Sequence, residues 1–218
     1  MKAAINGFGR IGRLVFKIGL EKGINFAAIN DLTEPRILAY LLKYDSVYGN
    51  YDKKVDYGKD FLIVGGKKII VLAEPNPEKL PWKELGVDFV VESTGRFKDH
   101  KEAEKHIKAG AKRVLISAPS DDADITVVYG VNDDKLKKEH KIISVASCTT
   151  NCLAPLAKVL DDSFGIKRGF MTTVHGYTSS QALVDGPNKK LRRGRAAGLN
   201  IVPTSSGATS ATSKAIPQ

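Results

Sequence analysis

Three glycines near the N-terminus constrain the fold of this chain more than any other feature. Gly7, Gly9 and Gly12 form the pattern G-x-G-x-x-G between an apolar run at residues 2–6 and an amphipathic run at residues 13–21. The first glycine permits a tight turn, the second lets an anion approach the backbone, and the third lets the helix pack closely on the strand. Because the pattern lies between a strand and a helix, it predicts a Rossmann-type βαβ unit that binds a dinucleotide.

Polar residues follow several of the strand-like runs. Asp31 comes directly after residues 26–30, about 20 positions beyond the glycines, where a carboxylate meets the ribose hydroxyls of a dinucleotide. It would repel a 2′-phosphate, which favours NAD over NADP. Thr94 with Gly95, and Ser117, lie at the carboxyl ends of later strands, the edge where open α/β sheets bind ligands. We expect the cofactor to contact Gly7, Gly9, Gly12, Asp31, Thr94 and Ser117. A glycine turn without a ligand is the alternative.

Strand-like and helix-like segments alternate along residues 1–147. This order predicts an α/β fold with a doubly wound, mostly parallel sheet and helices on both faces. The predicted strands are 2–6, 26–30, 88–93, 113–117, 124–129 and 141–146, the helices are 13–21, 35–43 and 100–109, and residues 55–72 form a hairpin with Gly65-Gly66 at its turn.

A reactive cysteine is predicted in the hexapeptide at residues 147–152, SCTTNC, which precedes a helix-like run at residues 153–160. Near a helix N-terminus, unpaired N–H groups and the helix dipole favour the thiolate of Cys148. His175 follows a second strand-like run, residues 169–174, and a cysteine with a histidine is the usual pairing in covalent enzymes. A cysteine that only fills space is the alternative.

Composition excludes some classes of function. The 218 residues, 42% of them hydrophobic, allow one large or two small domains, and no signal peptide or membrane-spanning run is visible, so we expect a cytoplasmic protein. Cys148 and Cys152 form neither a disulfide framework nor a standard zinc spacing, so no metal is expected; a redox pair stays open.

The net charge of +10 suits anionic ligands. Nucleic acid is not expected as the principal partner, since no aromatic residues interleave the densest basic cluster, which comprises Lys189, Lys190, Arg192, Arg193 and Arg195.

Seven segments, taken in order along the whole chain, resemble glyceraldehyde-3-phosphate dehydrogenase. The resemblance implies the phosphorylating, NAD-dependent type. Leu32 and Pro187 also fit its NAD-using members. The segments are 6–13 (NGFGRIGR), 30–32 (NDL), 43–49 (KYDSVYG), 93–95 (STG), 147–152 (SCTTNC), 175–178 (HGYT) and 203–208 (PTSSGA).

The resemblance implies a role for individual residues. Cys148 would attack the aldehyde of glyceraldehyde 3-phosphate, with His175 as its base; oxidation by NAD would leave a thioester, from which inorganic phosphate would release 1,3-bisphosphoglycerate. Arg10 and Ile11 would contact the pyrophosphate through their backbone. The implied substrate and phosphate site comprises Ser147, Thr149, Thr178 and Arg193, with a second stretch at Ser206 and Gly207, where Ser206 replaces the commoner threonine.

The resemblance also implies two domains, an NAD-binding domain at residues 1–147 and, at residues 148–218, the N-terminal part of an α+β catalytic domain that is C-terminally incomplete. Leu153, Leu156 and Val159 would then lack packing partners. Pro75 stands where many relatives have an arginine near the adenine, and Ser179-Ser180 replaces an asparagine-containing pair near the nicotinamide carboxamide. The family suggests a homotetramer. Two alternatives stay open, namely an erythrose-4-phosphate dehydrogenase and a non-catalytic fragment that binds NAD or RNA.

Overall fold

A single sheet of nine strands organises the structure, a computed structural model that describes residues 1–216. Its order is β3-β4-β5-β2-β1-β6-β7-β9-β8. The strands are β1 (Lys2–Asn6), β2 (Asn25–Asn30), β3 (Val55–Tyr57), β4 (Phe61–Val64), β5 (Lys67–Leu72), β6 (Phe89–Glu92), β7 (Arg113–Ile116), β8 (Ile125–Thr126) and β9 (Ile142–Ser144). The helices are α1 (Arg10–Glu21), α2 (Pro35–Lys43), α3 (Trp82–Leu85), α4 (His100–Lys108), α5 (Cys148–Phe164) and α6 (Ala208–Ala215).

Strand β1 lies at the centre of the parallel part of the sheet. It pairs in parallel with β2 on one side and with β6 on the other, so consecutive crossovers leave it in opposite directions. Such a reversal opens a crevice at the carboxyl ends of the strands, where doubly wound sheets bind their ligands. Only β3, β4 and β5 pair antiparallel among the described strands, and the turn between β4 and β5 contains Gly65 and Gly66, both with positive φ. The predicted mostly parallel sheet and the hairpin are therefore confirmed.

Both faces of the sheet are covered, as its strand sequences require. Ala3 and Ile5 of β1 belong to a core shared with Phe16 of α1, whereas Ala4 belongs to a second core that contains Trp82 of α3. Successive side chains of a strand point to opposite faces, so an apolar run in a strand predicts burial on both sides.

Helix α5 begins at Cys148 and is only lightly packed. Thr150 and Ala154 are its buried residues, and Ala154 belongs to a small core, with Val128, Ala146 and Ala215, that joins α5 and α6 to the sheet. Leu156 and Val159 are 60% and 64% exposed, which confirms the expectation that they lack packing partners, whereas Leu153 is half-buried.

The prediction of a strand at residues 169–174 is wrong in this structure. None of the nine described strands pairs with this segment, and residues 168–178 are exposed outside regular structure. A strand is stabilised by a hydrogen-bonded neighbour, which an apolar run alone does not supply. Smaller differences lie at element ends: α1 begins at Arg10 rather than residue 13, and β8 comprises only Ile125–Thr126.

Candidate active site

Cys148 is the first residue of α5, directly after the carboxyl edge of the sheet. Ser147 caps the helix, since its hydroxyl accepts a hydrogen bond from the Thr150 N–H at 3.0 Å. The Asn151 side chain donates to the carbonyls of Val145 and Ser147 at 2.8 and 2.9 Å, which ties the first helical turn to the end of β9. The exposed Cys148 thiol therefore lies at the positive end of the helix dipole.

The turn before Cys148 is strained. Ala146 has φ +58°, the only positive φ outside glycine among residues 1–216, and it is 2% exposed. A side chain in this left-handed region is unfavourable and persists where the surroundings enforce it, as at functional sites. The strained turn directs the chain from β9 into α5.

His175 approaches Cys148 closely, although 27 positions separate them. The His175 Nε2 atom lies 3.2 Å from the Cys148 Sγ atom, and Nδ1 donates to the Gly176 carbonyl at 2.6 Å. Because Nδ1 carries a proton, Nε2 is the nitrogen that exchanges a proton with the thiol. Covalent enzymes pair a nucleophilic thiol with an imidazole base in such a contact, so Cys148 and His175 are the candidates for these two roles.

The electrostatics of this pair favour the thiolate–imidazolium form. Partial burial raises the pKa of the Cys148 thiol. Its hydrogen bonds with His175 and Thr149 together lower that pKa by more than burial raises it, so the resulting pKa is below the ordinary cysteine value. The hydrogen bond to the Gly176 carbonyl, and then the contact with Cys148, raise the pKa of His175 above its ordinary value. Both shifts widen the pH range in which the thiolate exists beside a protonated imidazole.

A cluster of hydroxyls surrounds the guanidinium of Arg193. One Arg193 nitrogen donates to the Ser180 hydroxyl and another donates to Thr204 Oγ1 at 2.9 Å, while Ser180 Oγ lies 2.8 Å from Thr178 Oγ1. The Arg193 Nε atom is buried without a hydrogen-bond partner. A guanidinium beside several hydroxyls suits a phosphate group. Ser180 and Thr204 were not predicted as members of this site, since only the fold brings them to Arg193.

The nucleophile and the hydroxyl cluster share one open cavity of about 1290 Å³. Ser206 and Gly207, at the N-terminus of α6, also line it, and Gly207 caps that helix. The structure thus brings together every residue that the sequence analysis assigned to catalysis and to phosphate binding, namely Ser147, Cys148, Thr149, His175, Thr178, Arg193, Ser206 and Gly207.

A second, smaller cavity of about 300 Å³ lies at the carboxyl ends of β1, β2 and β6. Gly7 has φ +92°, and a Cβ atom on Gly12 would lie 2.2 Å from the Gly7 carbonyl oxygen, so both glycines are required by the turn itself. A Cβ on Gly9 would meet no atom within 4 Å. Gly9 therefore leaves open space in front of the N-terminus of α1, the position at which a phosphate would approach the backbone.

Asp31 closes this cavity on the β2 side. Its carboxylate accepts hydrogen bonds from the Phe8 N–H at 2.7 Å and from the Thr33 N–H at 2.9 Å. These contacts hold the carboxylate between the glycine turn and the end of β2, where it could accept from ribose hydroxyls. Leu32, Pro75 and Thr94 line the same cavity.

The remaining predicted cofactor residues lie, like Gly12, outside the lining of that cavity. Arg10 and Ile11 occupy the first turn of α1, and the Arg10 side chain pairs with Asp45. Ser117 follows β7, is half-buried, and donates its backbone N–H to the Glu92 carbonyl at 2.9 Å. Their contacts with a cofactor stay predictions.

Neither a metal site nor a membrane span is found in the described part of the chain. No three His, Cys, Asp or Glu side chains of residues 1–216 group as metal ligands, and no helix there is long and apolar enough to cross a membrane. Cys148 and Cys152 are both free thiols.

Comparison with known proteins identifies the family. A family model described as the NAD binding domain of glyceraldehyde 3-phosphate dehydrogenase matches residues 1–100, and the model of the C-terminal domain matches residues 147–218. Three curated proteins named glyceraldehyde-3-phosphate dehydrogenase are similar. That from Thermotoga maritima is 58% identical over 96% of this chain and 64% of its own length. Those from Geobacillus stearothermophilus and Borreliella burgdorferi are 56% and 53% identical over all of this chain and 66% and 67% of their own lengths. The chain thus spans about two thirds of the relatives' length.

Proposed function

This chain belongs to the glyceraldehyde-3-phosphate dehydrogenase family, and we propose that it catalyses the oxidation and phosphorylation of glyceraldehyde 3-phosphate to 1,3-bisphosphoglycerate with NAD and inorganic phosphate. The observation that carries the proposal is the 3.2 Å contact between Cys148 Sγ and His175 Nε2, in the cavity that also contains the Arg193 cluster. A nucleophile and a dianion site in one cavity suit a phosphorylated aldehyde.

The residues of the smaller cavity fit NAD. The open space in front of Gly9 admits a pyrophosphate to the N–H groups of α1, and Asp31 offers a carboxylate to a ribose diol. We propose that Gly7, Gly9, Arg10, Ile11, Gly12, Asp31, Thr94 and Ser117 hold the cofactor. When bound, NAD supplies the two-electron acceptor of the oxidation.

The chain's own residues perform the covalent steps. The Cys148 thiolate attacks the aldehyde carbon and forms a C–S bond, while the His175 Nε2–H stabilises the negative charge that develops on the aldehyde oxygen. His175 gives its Nε2 proton to that oxygen, which becomes a hydroxyl. The neutral imidazole then takes the hydroxyl proton back as the carbon loses its hydrogen as a hydride to the two-electron acceptor and becomes a thioester. An oxygen of inorganic phosphate attacks the thioester carbon, and Cys148 leaves as a thiolate whose charge the protonated His175 balances.

The phosphate groups are assigned to the Arg193 cluster and to the N-terminus of α6. Arg193, Thr178 and the neighbouring hydroxyls present donors to one dianion, and Ser206 and Gly207 present donors to another. We propose that residues 1–147 form the NAD-binding domain and that residues 148–218 belong to the catalytic domain. The proposal extends to a cytoplasmic homo-oligomer, whose oligomeric state native mass spectrometry would test.

A stepwise assay tests the reaction. The chain is mixed with NAD and glyceraldehyde 3-phosphate in the absence of phosphate, and we expect a burst of NADH that matches an acyl adduct on Cys148 in the intact mass. Added phosphate should then convert the burst into continuous turnover. Cys148→Ser should abolish both signals, whereas the matched variant Cys152→Ser, which alters the other exposed thiol of α5, should retain them.

Two results would contradict the proposal. A chain that binds NAD but forms neither NADH nor the Cys148 adduct would be a non-catalytic fragment. Faster turnover with erythrose 4-phosphate, and no requirement for inorganic phosphate, would indicate the other dehydrogenase.

A further inference from the structure

A buried carboxylate that the proposed chemistry does not use lies beneath the dinucleotide cavity. Glu92, the last residue of β6, is 2% exposed. One of its oxygens accepts from the N–H of Thr94 at 2.8 Å and from the Thr94 hydroxyl. The other faces the Asn6 amide nitrogen at 2.6 Å and His106 Nε2 at 3.0 Å. Four donors therefore occupy the four acceptor positions of the carboxylate.

The contact with Trp82 shows which nitrogen of His106 carries the proton. The indole N–H of Trp82 donates to His106 Nδ1 at 3.0 Å, and an indole nitrogen can only donate. Nδ1 is therefore an acceptor, and the proton of the neutral ring is on Nε2, which faces Glu92. His106 is fully buried, and its Nε2–H donates to the Glu92 carboxylate.

Two of the three residues that Glu92 contacts form part of the cavity wall. Thr94 and Asn6 both line it, and the Thr94 hydroxyl also accepts from the Arg96 N–H at 3.0 Å, which fixes the turn after β6. The glycine turn rests against this segment, since a Cβ on Gly7 would lie 2.6 Å from the Thr94 nitrogen. A displacement of Thr94 would therefore move both the turn after β6 and the glycine turn.

We propose that Glu92, oriented by His106, is a positioning residue for the dinucleotide: it fixes the Thr94 turn and the adjoining glycine turn, and thereby sets the affinity for NAD. The inference rests on the proposed function for the identity of the ligand. Glu92 and His106 touch no ligand, and the inference gives them an effect on NAD binding in addition to any effect on stability.

Two substitutions break the arrangement at defined atoms. Glu92→Gln replaces one acceptor oxygen by an NH₂ group, which must face the donors of either Thr94 or His106 and Asn6. His106→Leu removes the donor to Glu92, whereas His106→Gln keeps an N–H there. Calorimetry on the full chain should show NAD bound at least tenfold more weakly by Glu92→Gln and His106→Leu, and within threefold of wild type by His106→Gln. Hydrogen exchange of the Thr94 amide should accelerate in the first two variants only.

Trp82→Phe is the matched control for stability. It removes the buried hydrogen bond between Trp82 and His106 and leaves the contacts of Glu92 with Thr94 and His106 in place, because the Glu92 carboxylate still requires a proton on His106 Nε2. It should lower the melting temperature without weakening NAD binding by more than threefold. If NAD affinity followed the melting temperature across all four variants, Glu92 would be merely structural and the inference would be refuted.

The remaining outcomes separate this inference from the proposed function. Unchanged NAD affinity in Glu92→Gln would refute the positioning role while NAD binding itself stood. A wild-type chain that bound no NAD would refute the proposed function and, with it, the assigned effect on NAD. Should Glu92→Gln fail to fold, the pair His106→Leu and His106→Gln decides the question alone.

Discussion

Two alanine substitutions in the glycine turn should separate folding from cofactor binding. A Cβ on Gly12 would lie 2.2 Å from the Gly7 carbonyl oxygen, whereas Cβ contacts need at least 3.0 Å, so helix α1 and the turn must part by about 0.8 Å. Overpacking of this kind costs about 1–3 kcal/mol. Alanine restores up to about 1 kcal/mol of helix propensity. Gly12→Ala should therefore destabilise the fold by about 1–2 kcal/mol.

Gly9→Ala should behave differently. Its Cβ would meet no protein atom within 4 Å, and Gly9 has φ −71°, which alanine adopts freely. A smaller unfolded-state entropy favours alanine by about 0.4–1 kcal/mol, and the loss of a good helix-capping residue offsets this. Stability should change by less than about 1 kcal/mol. The new methyl group instead occupies the space that a pyrophosphate needs, so NAD should bind at least about tenfold more weakly, or about 1.4 kcal/mol.

Thermal unfolding and calorimetric titration with NAD on the same samples test this pair. For a chain of this size 1 kcal/mol corresponds to about 2–4 °C, so Gly12→Ala should melt about 2–8 °C lower and Gly9→Ala within about 4 °C of wild type. The reasoning would be refuted by a Gly9→Ala variant that bound NAD normally, or by a Gly12→Ala variant as stable as wild type.

Three further predictions concern the larger cavity. In His175→Asn the pKa of Cys148 should rise, because the imidazole hydrogen bond that lowers this pKa is lost. Alkylation of Cys148 by iodoacetamide should therefore slow at neutral pH and recover at higher pH. An unshifted pH profile of alkylation would contradict the pairing of Cys148 with His175. Ala146→Val should destabilise the fold by about 2 kcal/mol, because a β-branched side chain at φ +58° is strained, whereas Ala146→Gly should retain or raise the melting temperature. Arg193→Lys should raise the KM for the phosphorylated substrate about tenfold, since one ammonium cannot replace two guanidinium contacts with Ser180 and Thr204; an unchanged KM would remove Arg193 from the phosphate site.

Local chemistry explains why the dinucleotide unit could be predicted from sequence. The positive φ of Gly7 and the close approach of Gly12 to the Gly7 carbonyl arise from backbone geometry within a few residues. Asp31 directly follows strand β2, at the usual distance from the glycines. The pairing of Cys148 with His175 was also predicted, because nucleophile and base are chemically rare residue types. Their 3.2 Å contact depends on the path of residues 165–175, in which the strand prediction failed.

Burial, which a single sequence does not display, decides the rest. Glu92 and His106 are charged or polar residues 14 positions apart, and residue type alone would place Glu92 at the surface and would not predict full burial of His106. Only the sheet order, with β6 beside β1, places Glu92 against Asn6 and turns both toward the Trp82–His106 pair. A buried carboxylate is tolerated where donors surround it, and three of its four donors here belong to the cavity wall, namely the Asn6 amide and the N–H and hydroxyl of Thr94. The same contacts that make burial of Glu92 possible therefore fix the shape of the dinucleotide cavity. For this reason we expect substitution of Glu92 to weaken cofactor binding.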